Sequence, residues 1–72
     1  MNIEVSRKLA KRIRELRKKK GLTQEKLSEL SDIDYKHIQL LESKNPPAAK
    51  LDTMDKLAKA FNITLPKLLD FK

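Results

Sequence analysis

Cysteine and tryptophan are absent, glycine and histidine occur once each, and aromatic residues make up 4% of the 72 residues. Without cysteine there is no disulfide framework, no thiolate nucleophile and no cysteine-based zinc site, so packing or self-association must hold so short a chain together. One histidine cannot build the multi-histidine sites of catalytic metals, and one glycine excludes a glycine-rich phosphate loop. No cofactor is therefore expected, and an enzyme is not the reading. Long apolar runs are missing too. No stretch approaches the roughly 18 residues of a membrane span, and Arg7, Lys8, Lys11 and Arg12 interrupt every run that a signal peptide would need. These absences predict a cytoplasmic protein with no membrane partner.

What is present is enough apolar residue, 39%, for one core. No linker, repeat or low-complexity block divides the chain, and residues 1–72 read as a single domain. The net charge is +7, and its placement is uneven: the first twenty residues hold nine Lys/Arg against Glu4 and Glu15, while the remainder holds eight of each sign. Concentrated positive charge attracts polyanions, either nucleic acid or an anionic membrane surface. A basic amphipathic helix on lipid would lack an aromatic anchor here and would leave the rest of the chain without a core partner.

Helical periodicity runs throughout. Val5, Leu9, Ile13 and Leu16 step by three and four and predict a first helix that Gly21 stops. Thr23 is placed to cap a second, short helix with Leu27 and either Leu30 or Ser31 turned inward, ending near Asp32. Asp34 would cap a third, with Ile38 and Leu41 buried and Glu42 in its last turn. Asn45, Pro46 and Pro47 mark a loop. Leu51, Met54, Leu57, Ala58 and Phe61 then form a fourth stripe ending at Asn62, and Thr64 caps a fifth helix using Leu65, Leu68, Leu69 and Phe71. Strand alternation is absent, so the expected fold is all-α with five helices.

Two short helices joined by a tight turn and braced by longer ones describe a helix-turn-helix at helices two and three, whose second member fits a major groove about 12 Å wide. Three stretches, Leu16–Glu25, Ile38–Glu42 and Leu51–Phe61, together resemble the Cro and phage-repressor helix-turn-helix family, the xenobiotic-response-element-like regulators. The Gly-Leu-Thr-Gln start and the Ile-x-x-Leu-Glu end are specific at this spacing. The resemblance covers roughly residues 5–70 and implies a five-helix phage-repressor-like DNA-binding domain. Four positions depart from the pattern. Asp32 and Lys44 stand where glycine is usual, and Asn45 is the residue expected to take the left-handed backbone in place of Lys44. Leu30 and Leu40 occupy positions that are usually polar.

The resemblance implies that Gln24 bonds a DNA phosphate, that Arg17 and Glu42 form an ion pair fixing the recognition helix, and that Lys50 reaches toward a minor groove. The geometry of the third helix turns Tyr35, Lys36, Gln39 and Leu40 away from Ile38 and Leu41, which makes them the candidate base contacts. Lys36 can donate to guanine, Gln39 can pair with adenine, and Leu40 offers apolar contact to a thymine methyl. Tyr35 can touch a phosphate or a methyl group. His37 reads as a partly buried packing residue. Residues 23–43 carry a net −3. Phosphate attraction must therefore come from around that unit: from Arg17, Lys18, Lys19 and Lys20, from Thr23 and Gln24 at the helix start, and from Lys44 and Lys50.

Leu65, Pro66, Leu69 and Phe71 are many apolar groups for one terminus, and the family dimerises through this end, so they form the expected dimer interface. The reading that follows is a sequence-specific, dimeric transcriptional regulator, a repressor or autoregulator, that binds double-stranded DNA at a near-palindromic operator. RNA polymerase remains a partner that Glu25 and Glu29 could touch. The alternative reading is an antitoxin-like protein-binding module that also binds its own promoter.

Overall fold

α1 spans Ile3–Lys19 in the computed structural model, which describes residues 3–71. The ends of the expected 1–72 unit, Met1, Asn2 and Lys72, lie outside the described residues. α1 buries Ser6, Leu9, Ala10, Ile13 and Leu16, while Val5, expected in the stripe, is 40% exposed. Helical geometry explains the correction: at about 100° per residue Ser6 lies about 20° from Ile13 and Val5 about 80° away. Gly21 ends the helix at φ 68°. Its N–H donates to the Lys18 carbonyl, and the Leu22 N–H donates to that of Arg17 at 2.9 Å. These bonds reverse the chain and satisfy carbonyls that a helix end leaves bare.

α2 spans Gln24–Ser31, α3 Tyr35–Leu41, α4 Leu51–Ala60 and α5 Leu65–Leu68. No strand occurs among the described residues. α2 packs against α3 and α4, and α4 against α5. The common core is built from Leu9, Ile13 and Leu16 of α1, Leu27 of α2, Ile38 and Leu41 of α3, Leu57 and Phe61 of the α4 segment, and Leu68 of α5. Each such side chain removed from water contributes roughly 1.5–3 kcal/mol, so helices too short to survive alone are held by packing.

The second inward residue of α2 is Ser31, whose Oγ donates to the Leu27 carbonyl at 2.7 Å, while Leu30 faces outward. Leu51 also departs from the expected stripe. At 68% exposure it stands in the first turn of α4, beyond the edge of the core. Neither Lys44 nor Asn45 adopts a positive φ, so the loop after α3 turns without the left-handed residue expected at Asn45. The end of α3 closes instead on Glu42 and Ser43, whose N–H groups donate to the carbonyls of Ile38 and Leu40 with the Ser43 hydroxyl also on Leu40, and Arg14 and Arg7 of α1 hold the carbonyls of Glu42 and Lys44 that follow.

Candidate nucleic-acid interface

Thr23 starts the unit. Its backbone is extended, and its Oγ1 accepts from the Lys26 N–H at 3.0 Å, which places Gln24 as the first residue of α2. α2 ends at Asp32, left-handed at φ 59°, and the buried Ile33 anchors the turn before Asp34 begins α3. Asp34 holds the cap position but makes no side-chain cap bond. α3 buries Ile38 and Leu41 and leaves Tyr35, Lys36, Gln39 and Leu40 exposed on its other side; His37 is half-buried at the edge. Gln39 Nε2 donates to the Tyr35 hydroxyl at 3.1 Å, a one-turn pairing along the exposed face. The carboxamide keeps its oxygen and its second N–H for another partner.

The rear of α3 is fixed to α1 by charge. Arg17 donates Nε to Glu42 Oε2 at 2.8 Å and Nη2 to Oε1 at 3.0 Å, a two-point match of guanidinium and carboxylate. The Arg17 side chain is 13% exposed and that of Glu42 2%, so this is a buried pair. Arg17 Nη1 also holds the Leu22 carbonyl at 2.9 Å, and Gln24 Nε2 donates to Glu42 Oε1 at 3.3 Å. Glu42 therefore joins the end of α1, the start of α2 and the end of α3. One of the acidic charges of the helix-turn-helix is neutralised in place, which lessens the negative balance of residues 23–43.

All four arginines of the chain lie in α1, and each reaches another segment. Arg14 Nη1 donates to the Glu42 carbonyl at 2.6 Å, and Arg7 donates Nε to the Lys44 carbonyl at 3.0 Å and Nη2 to Asn45 Oδ1 at 2.9 Å. On the opposite flank, Arg12 donates to the carbonyls of Lys67 and Leu68 at the end of α5. Sequence reasoning missed Arg7 and Arg14 beside α3. The available signal was their seven-residue spacing, which sets them on one line of α1 adjacent to Arg17.

The remaining expected contacts divide by side. Lys44 and Lys50 are exposed on the loop after α3, next to the recognition surface. Lys19 lines a groove with Lys20, Ile63 and Lys67, on the α5 flank of α1 that Arg12 shares, and so lies away from α3. At the other end, Pro66 and Leu69 are exposed, whereas Leu65 and Phe71 pack partly against the chain's own core. Among the described residues no cluster of His, Asp and Glu could hold a metal ion, and no helix is long and apolar enough to cross a membrane.

A family model described as helix-turn-helix matches residues 13–68, from the middle of α1 to the last residue of α5. Comparison with curated proteins finds no match.

Proposed function

Because the chain belongs to the Cro and phage-repressor type of helix-turn-helix protein, a family of DNA-binding transcription regulators, we propose that it reads an operator through the exposed side of α3 and regulates by occupying that operator. The observation that carries this reading is the pairing of an exposed polar face, Tyr35, Lys36 and Gln39, with a rear side locked to α1 through Glu42. A reading head must be both free and immobile, since a loosely held side chain loses discrimination to entropy.

In this proposal Gln39 pairs with an adenine edge, its carbonyl accepting from N6 and its second N–H donating to N7. The Tyr35 hydroxyl, as acceptor for the first N–H, favours the amide orientation that this pairing needs. Lys36 donates to guanine, and Leu40 contacts a thymine methyl. Thr23 and Gln24 at the start of α2 meet one phosphate strand, and Lys44 and Lys50 meet the other. Arg17 acts mainly as the brace for Glu42. Lys19 and Lys20, on the far flank, contribute long-range attraction to the polyanion.

The regulator is proposed to act as a dimer through Pro66 and Leu69, with double-stranded DNA as its ligand and repression by occlusion as the simplest consequence. Selection of bound duplexes from a random pool tests the reading. The expected result is enrichment of two related half-sites about one helical turn, roughly 34 Å, apart. Gln39→Ala is expected to relax preference at one base pair per half-site. A pool that returns without enrichment at moderate salt overturns sequence-specific binding.

A further inference from the structure

Two grooves run along the flank of α1 that meets α5, and they join. One has Lys8, Lys11 and Phe71 to itself; the other, about 600 Å³, has Lys19, Lys20 and Lys67 over a floor of Leu16 and Ile63. Arg12, Glu15 and Asp70 line both, so the two form one trough with these three residues at its middle. Charge therefore alternates along it: two lysines at one end, two carboxylates around an arginine at the centre, three lysines at the other end. The trough is on the flank of α1 away from α3, so its charges lie outside the reading surface.

Elsewhere in the chain lysines are neutralised within their own helix: Lys26 pairs with Glu29, Lys56 with Asp52 and Lys59 with Asp55. In the trough, Lys8 reaches Glu4 at 3.9 Å, but among the described residues Lys11, Lys19, Lys20 and Lys67 form no ion pair. Glu15 stands four residues from both Lys11 and Lys19, the spacing at which helix charges ordinarily pair. These cations are left for another partner. The walls, in contrast, are already joined. Arg12 donates to the carbonyls of Lys67 and Leu68 at 2.9 and 3.3 Å, which ties α5 to α1 and shapes the trough before anything enters it. A preformed site spares a ligand part of the cost of ordering.

The pattern discriminates between polyanions. The backbone of DNA carries evenly spaced phosphates and no N–H donors, so Glu15 and Asp70 would only repel it, and the apolar floor would go unused. An acidic peptide brings carboxylates for the lysines, apolar side chains for Leu16, Ile63 and Phe71, and backbone N–H groups that the central carboxylates accept. A second trough is a poor occupant, because six cations against two carboxylates make two copies repel here. From Lys8 to Lys19 the helix rises about 17 Å, which about five residues of extended chain would span.

We propose that the trough between α1 and α5 docks an extended acidic segment of a partner protein, with carboxylates toward both ends and apolar side chains between them. The proposal is independent of the DNA reading, since the trough shares no residue with the exposed face of α3.

The test uses the full chain and a blocked synthetic heptapeptide, Asp-Asp-Leu-Gln-Leu-Asp-Asp, as the probe. In NMR titrations at about 0.1 M salt, the amides of Leu16, Ile63 and Phe71 are expected to shift saturably. A heptapeptide of glutamate, more charged but without apolar surface, is expected to bind about fivefold or more weakly. Lys11→Glu and Lys67→Glu, exposed changes at opposite ends, are each expected to weaken the patterned peptide by about threefold or more without moving the urea midpoint. Lys67→Glu keeps the carbonyl that Arg12 holds. Equal binding of the two peptides, or no saturable shift, overturns the proposal. So does a duplex that shifts the Ile63 and Phe71 amides as the peptide does, which would make the trough a nucleic-acid surface. A sedimenting mass that rises beyond the dimer and falls with Lys11→Glu would place a second copy there and overturn it equally. Peptide binding without enrichment in duplex selection supports the trough even as the operator reading fails; enrichment without peptide binding removes the trough and leaves the operator reading standing.

Discussion

Glu42 carries more of the arrangement than any exposed residue, because its carboxylate accepts from Arg17 twice and from Gln24 once while almost wholly removed from water. An exposed pair of this kind contributes little, about 0–1 kcal/mol. Removing one member of a buried pair strands the other charge and costs about 3–5 kcal/mol. Glu42→Ala is therefore expected to destabilise the chain by about 3 kcal/mol in urea unfolding; a loss below about 1 kcal/mol would show the pair to behave as a surface contact. The pairing itself was legible only through family resemblance, since Arg17 and Glu42 lie 25 residues apart and no local periodicity relates them. Its burial was not legible at all. The outward set on α3 was more accessible to reading, because Ile38 and Leu41 fix which side of a seven-residue helix faces in. The Gln39 to Tyr35 bond escaped notice, although a four-residue spacing on a helix is the signal that could have found it.

The short helices of the reading unit are delimited by different devices. α2 begins on a bonded cap at Thr23 and ends on a left-handed Asp32, so both its ends are encoded next to the helix itself. α3 begins at an Asp34 whose side chain bonds nothing in the cap and ends at Glu42, whose carbonyl Arg14 of α1 satisfies from a distance, as Arg7 does that of Lys44 in the loop beyond. This difference predicts unequal responses to the same change. Thr23→Ala should cost about 1 kcal/mol, while Asp34→Ala should cost less than about 0.5 kcal/mol, both read from thermal or urea unfolding. Equal losses would mean that Asp34 caps α3 in solution. Local chemistry explains why the bounds of α2 could be anticipated. The loop at residues 43–45 could not, because its conformation depends on Arg7 and Arg14 arriving from another helix.

At the scale of the whole molecule, the described residues extend 28 × 24 × 21 Å. That is less than the roughly 34 Å between successive major grooves on one side of a duplex, so in the proposed function one copy would read one half-site and a paired operator would need two. The proposed contact involves Pro66 and Leu69, which remain outside, rather than Leu65 and Phe71, which partly complete the chain's own core. Leu69→Ser is accordingly expected to lower the sedimenting mass and the apparent operator affinity together with little change in stability. Phe71→Ser should reduce stability as well. An unchanged mass for Leu69→Ser at micromolar concentration would remove this surface from the dimer.

The spacing of apolar residues, one glycine and two threonine caps were sufficient to predict five helices and the placement of a turn between the second and third. Those features depend on neighbours within one or two turns, where backbone geometry leaves few alternatives. Helical geometry relative to Ile13 already favours Ser6 over Val5 on the inward side, whereas tertiary packing decided that Leu51 stays in water. It also decided how the four arginines of α1 divide between the two sides of the domain. A guanidinium's partner is set by which carbonyls come within its reach once distant segments meet, and no periodicity along the chain contains that distance.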